Sequence, residues 1–133
     1  MRRDLTQYGV EEARTPEDVD RLLGPGSGPV LMVVNSVCGC AAGKARPAVG
    51  LALRHSVVPS KVATVFAGGD EAAVAYLRSK LPNYPPSSPS MALFQDGQPV
   101  FMLHRHEIER REAPEIAGIL TEAFDRFCVA APK

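Results

Sequence analysis

The sequence predicts an α/β domain in which helices cover both faces of one central, four-stranded mixed sheet. Three observations carry this expectation. Val30-Leu31-Met32-Val33-Val34 is an apolar run without alternation, the pattern of a central strand buried on both faces. Helical periodicity alternates with short strand-like runs through the first two thirds of the chain, as parallel strand–helix–strand units require. An Asp96-Gly97 pair between two later strand-like runs signals a hairpin, which makes the remaining pairing antiparallel.

The elements are justified in order along the chain. Thr15-Pro16-Glu17-Asp18 supplies an N-cap, a proline at the first helical position and early acids, and Val19, Leu22 and Leu23 continue at helical spacing up to Gly24. A Gly/Pro-rich loop leads to the Val30–Val34 strand, which ends at Asn35-Ser36-Val37. Past Cys38-Gly39-Cys40, positions 41 to about 54 read as a helix with Ala45, Ala48, Val49, Ala52 and Leu53 on one face and a kink at Pro47. Lys61 to Phe66 reads as a second strand, and Asp70 as the cap of a helix reaching about Leu81, with Ala73, Val74 and Leu77 inward. A proline-rich loop, 82–89, precedes the hairpin strands Met91 to Phe94 and Pro99 to Leu103. The charge run Arg105 to Arg111 reads as a solvated face with no catalytic role. A last amphipathic helix runs from Ala113 to about Cys128, with Ile116, Ile119, Leu120, Ala123, Phe124 and Phe127 on one stripe. The resulting order, αβαβαββα, is that of a thioredoxin-like fold.

With 133 residues the chain suits a single domain spanning 1–133. Fifteen basic residues balance fifteen acidic ones, and aromatics make up only 6%, so both a phosphate-seeking surface and a base-stacking platform lack material. Nucleic acid is not an expected partner. No apolar run approaches the 18 or more residues of a membrane-spanning helix, and the polar start Arg2-Arg3-Asp4 lacks the apolar middle of a signal peptide. A cytoplasmic chain without membrane contact is expected. Three cysteines, two of them at Cys38 and Cys40, do not form the spread of a secreted disulfide scaffold. Their closeness points to redox chemistry or metal binding.

Cys38-Gly39-Cys40 falls where a strand gives way to a helix, so its thiols are expected to face unsatisfied backbone N–H donors and the positive end of the helix dipole. Such surroundings lower a cysteine pKa from about 8.5 into a range of roughly 3.5–7.5, and the thiolate is the nucleophile of disulfide exchange. Cys38 is therefore the expected nucleophile and Cys40 the resolving or modulating thiol. Residues two apart on a helix point about 200° apart, so a Cys38–Cys40 disulfide requires a departure from helix that Gly39 permits at a cost in strain. That bond is expected to be labile and oxidising. Ser88-Pro89-Ser90 stands just before the third strand, where thioredoxin-type sites carry a cis-proline opposite the cysteine turn. Ser88 and Pro89, together with Asn35, Ser36 and Gly39, are expected to meet a thiol substrate.

Other readings remain open from the residues alone. The cysteine pair could be small buried hydrophobes. It could also join His104 and His106, or Cys128, as ligands of a zinc-binding module. Cys128, near Phe124 and Phe127, reads first as a core cysteine. Lys44 and Arg46 could tune Cys38 or attract a carboxylated thiol, and a solvated helix face accounts for them equally well.

The stretch Val33-Val34-Asn35-Ser36-Val37-Cys38-Gly39-Cys40-Ala41-Ala42-Gly43 with Ala45-Arg46-Pro47 resembles the signature of the bacilliredoxins. The resemblance continues through Thr64 to Gly68, Pro86 to Leu93, Arg105 to Glu109 and Ala123-Phe124-Asp125 with Cys128. It implies a thioredoxin-like enzyme without metal or organic cofactor that removes bacillithiol from S-thiolated cytosolic client proteins. Cys38 attacks the mixed disulfide, Cys40 assists or resolves, and weak disulfide isomerase or reductase activity accompanies the main reaction.

Overall fold

A computed structural model describes residues 10–24, 28–35, 44, 46–55, 58–66, 70–80, 90–95 and 97–128. Five strands, β1 (Glu11–Glu12), β2 (Pro29–Asn35), β3 (Lys61–Phe66), β4 (Ser90–Gln95) and β5 (Gln98–Leu103), form one sheet in the order β1-β3-β2-β4-β5. The described helices are α1 (Pro16–Leu23), α2 (Arg46–Ala52), α3 (Glu71–Ser79), α4 (Arg105–Glu109) and α5 (Ala113–Phe127). β1 and β2 run parallel to β3, whereas β4 is antiparallel to both β2 and β5. The mixed sheet and the hairpin are as expected.

β2 is central because its side chains satisfy two cores at once. Val30, Met32 and Val34 join Ala63, Val65, Ala92 and Phe94 beneath α1 and α3. Leu31 and Val33 join Met91, Leu93 and Leu103 beneath α2, α4 and α5. Strand side chains alternate between faces, so five consecutive apolar residues bury completely only where both faces are covered. α1 starts where the sequence places it, with Thr15 Oγ1 accepting from the Asp18 N–H at 3.1 Å and Asp18 accepting in turn from the Arg14 N–H at 3.1 Å. The Arg14 backbone N–H holds the Asp18 carboxyl below its ordinary pKa.

Three features depart from expectation. The sheet has five strands rather than four: β1 pairs Glu11 with Ala63 and Glu12 with Thr64, and the Ala13 N–H reaches the Thr64 carbonyl at 2.8 Å. Two glutamates carry no strand signal, because the pairing uses main chain while Val10 and Ala13 on either side provide the burial. The charge run contains a short helix, α4, anchored by the fully buried Ile108, with an Arg105–Glu109 pair at 3.0 Å on its exposed side. Asp70 stands at the head of α3 without a side-chain cap; its carboxylate accepts instead from the Phe66 N–H at 3.1 Å. The kink expected at Pro47 is not tested, since α2 is described from Arg46 only.

The hairpin turns at Gly97, which has φ +84° and would place a Cβ 2.7 Å from the Leu23 carbonyl oxygen. Gly97→Ala therefore meets both a left-handed backbone and a main-chain clash. A loss of about 1–3 kcal/mol is expected, read as a lower urea midpoint at unchanged slope.

Candidate active site

One end of the sheet is set by register. Asn35 pairs with Phe66, Val34 with Ser90, and Leu103 with Met91. The last residues of β2 and β3, the first of β4 and the exit of β5 into His104 thus share one edge. Of the predicted site residues, only Asn35 lies among those described. Ser36, Cys38, Gly39, Cys40, Ser88 and Pro89 fall outside them, as does the side chain of His106.

Asn35 is 1% exposed, and its Oδ1 accepts from Arg46 Nη1 at 3.4 Å. Arg46 is itself 3% exposed. This overturns the solvated-face reading of Arg46: the guanidinium opens α2 on a buried position, beside the end of the central strand. Lys44, half-buried, donates through Nζ to the Glu109 carbonyl and so ties the chain just before α2 to the end of α4. On the neighbouring strand, Thr64 Oγ1 donates to the Val33 carbonyl at 2.7 Å, and the Asp70 N–H reaches the Phe66 carbonyl at 2.8 Å.

Among the described residues, the buried polar and charged side chains are Asn35, Arg46, Thr64, Asp70 and Ser90. Asn35, Ser90 and Thr64 stand at this edge or within two residues of it, and Arg46 and Asp70 are hydrogen-bonded to residues that do. Burying polar groups costs free energy unless they are hydrogen-bonded, and among the described residues the buried polar groups concentrate at this one end of an otherwise apolar core. Residue types alone do not reveal this. The signal in the sequence is an arginine embedded in an alanine-rich helix, and residue type assigns it to solvent.

Cys128 lies elsewhere. It follows α5, and the preceding carbonyl, that of Phe127, accepts from Gln95 Nε2 at 3.4 Å, at the opposite end of β4 from Ser90. Five strand steps of about 3.4 Å separate the two ends by roughly 17 Å. Burial pushes the Cys128 thiol up to about 11, so at neutral pH it is protonated and a poor nucleophile. Cys128 packs against the core formed with α5, as the core-cysteine reading expects. His104 stands at the site edge. Among the described residues no three His, Cys, Asp or Glu side chains converge on a metal position. A cavity of about 350 Å³ lined by Glu11, Leu53 and residues 58–62 opens by the start of β3, at the end of the sheet away from Asn35.

A family model described as disulphide isomerase matches residues 1–128. A bacilliredoxin of Salinibacter ruber is 49% identical over 130 residues, covering 96% of this chain and 76% of its own. One of Koribacter versatilis is 47% identical over 130 residues, covering 98% and 90%. The chain belongs to the bacilliredoxin family. Among solved structures, Fasciola hepatica thioredoxin superposes with a TM-score of 0.62 at 20% identity, covering 89% of this bacilliredoxin and 99% of itself. An oxidised Arabidopsis thaliana thioredoxin does so at 0.57 and 13% identity, covering 89% and 96%. The fold is thioredoxin-like, and family and fold together support thiol–disulfide oxidoreduction as the class of chemistry. No described helix of this bacilliredoxin is long and apolar enough to cross a membrane.

The raised Cys128 pKa fixes its titration. Only about one molecule in a thousand carries the Cys128 thiolate at pH 8 when the pKa is about 11. In a Cys38→Ser/Cys40→Ser variant, iodoacetamide labelling of Cys128 should be negligible at neutral pH and rise about tenfold per pH unit up to the plateau, followed by intact mass.

Proposed function

We propose that this bacilliredoxin removes bacillithiol, or a similar low-molecular-weight thiol, from S-thiolated proteins by exchange at Cys38. The observation that carries the reading is the gathering of buried polar side chains at the edge where β2 delivers the chain to Cys38-Gly39-Cys40. Register adds to it: Val34 pairs with Ser90, so the sequence carries Cys38 four residues beyond one partner and Pro89 one residue before the other. Family membership supplies the chemistry.

In the proposed reaction the Cys38 thiolate attacks the small thiol's sulfur in the client disulfide. A Cys38–thiol disulfide forms as the bond to the client sulfur breaks, and the client leaves as a thiolate that takes a proton from water. Cys40, as a thiolate, then attacks Cys38 Sγ, releasing the small thiol and leaving a Cys38–Cys40 disulfide. Two molecules of low-molecular-weight thiol reduce that bond and leave as their own disulfide. Ser36, Gly39, Ser88 and Pro89 are proposed to supply the main-chain edge along which the substrate lies. Asn35, with its side chain turned to Arg46, serves that edge from beneath. A reducing cytoplasm and S-thiolated client proteins fit this cycle, with weak isomerase or reductase activity toward other disulfides.

Incubation with a bacillithiolated peptide, followed by intact-mass spectrometry, tests the roles. Cys38→Ser should abolish transfer, and Cys40→Ser should retain the first attack and accumulate a bacillithiol adduct on Cys38. The reverse pattern would overturn the assignment. Stoichiometric zinc in the purified, reduced protein with inert thiols would replace the enzyme by a metal-binding module.

A further inference from the structure

We infer that Arg46 is a positioning residue for the cysteine turn: its buried guanidinium, hydrogen-bonded to Asn35 at the end of β2, brackets residues 36–45 and favours Cys38 as the thiolate. The inference rests on the exchange reaction proposed above and names the charge that tunes it.

Three observations lead there. Arg46 and Asn35 are both more than nine-tenths buried and stand 3.4 Å apart, so the two ends of the segment that carries both cysteines are linked through a side-chain contact. A guanidinium cannot shed its proton to relieve burial, so its positive charge persists at any working pH. Cys38 follows Asn35 by three residues, and a chain extends at most about 3.6 Å per residue, which keeps its Cα within about 11 Å of that of Asn35. With the side chains added, the guanidinium lies within roughly 20 Å of the Cys38 sulfur, and a unit positive charge about 10–20 Å from a thiolate, through an effective dielectric of about 20, lowers the thiol pKa by roughly 0.5–1 unit.

Other charged and titratable groups face this end from neighbouring elements. Lys44, on the Glu109 carbonyl, adds to the positive field. Asp70, accepting from the Phe66 N–H, and Glu107, accepting from the His104 N–H at 2.9 Å, oppose it. Arg105 and Glu109 pair with each other and largely cancel at a distance. Arg46 differs from all of these in contacting the residue three positions before Cys38.

The test is the pH profile of Cys38 alkylation by iodoacetamide in a Cys40→Ser/Cys128→Ser background, followed by intact mass. Arg46→Gln should raise the apparent pKa by about 0.5–1 unit, slowing labelling roughly three- to tenfold at pH values at least a unit below the parent pKa and leaving the high-pH plateau unchanged. Arg46→Lys, which keeps the charge, should recover at least half of the shift. A glutamine profile superimposed on the parent's, or no recovery with lysine, overturns the inference. Should Arg46→Gln fail to fold by far-UV circular dichroism, Asn35→Asp replaces it: a carboxylate on the guanidinium should move the profile in the same direction, and an unmoved profile is equally fatal. If parent Cys38 titrates like a free cysteine near 8.5, the exchange reading itself fails; a low parent value with unmoved variants defeats only the role of Arg46.

Discussion

The site depends on the two-sided burial of β2. Val30 to Val34 feed alternate side chains into cores on opposite faces, and β3 and β4 satisfy the main chain on both edges. A slip of one residue would send Leu31 and Val33 into the space shaped for Met32 and Val34, so register is strongly specified. Each fully buried Val, Leu or Met contributes about 1.5–3 kcal/mol, whereas the Asn35–Arg46 hydrogen bond adds a net of about 1 kcal/mol. Hydrophobic packing therefore decides where the strand ends, and the polar contact ties that end to the start of α2.

The polar residues are distributed to match. Thr64, Asp70 and Ser90 serve different strand ends, yet together with Asn35 and Arg46 they form one polar margin at the end of the sheet, and the other buried residues among those described are apolar or glycine. Asp70 illustrates the difference between local and tertiary demand. Its position suits a helix cap, but the Phe66 N–H at the end of β3 takes the carboxylate, because a buried main-chain donor left without an acceptor costs more than an uncapped helix end that water can reach.

Much of the fold was legible in the sequence where a local rule has a single outcome. Thr15-Pro16 could only open a helix, Asp96-Gly97 marked the hairpin, and the stripe from Ile116 to Phe124 marked α5 almost to its ends. β1 was not legible because two glutamates join the sheet through main chain alone. α4 was hidden because one buried isoleucine in seven residues makes no periodicity. The Cys-Gly-Cys turn stands out in the sequence, by spacing and by family resemblance, as the element for which exchange chemistry is proposed, and it lies outside the described residues. The burial of Arg46 does not stand out, since residue type assigns arginine to the surface and only tertiary packing puts it beside the end of β2.

Cys128 shows what the same side chain becomes at the other end of the sheet. There the neighbours are Phe124, Phe127 and the α5 core, burial penalises the thiolate, and the pKa climbs to about 11. At the Asn35 end the charges are mixed: a guanidinium such as that of Arg46 favours an ionised sulfur, and a carboxylate such as that of Asp70 opposes it. The sheet is thus chemically polarised along its strands. Apolar layers run its whole length, and among the described residues the buried polar side chains gather at one edge. On the exchange reaction proposed above, changes at that edge act on sulfur chemistry as well as on the fold, because the buried polar contacts there also tie the end of β2 to the start of α2.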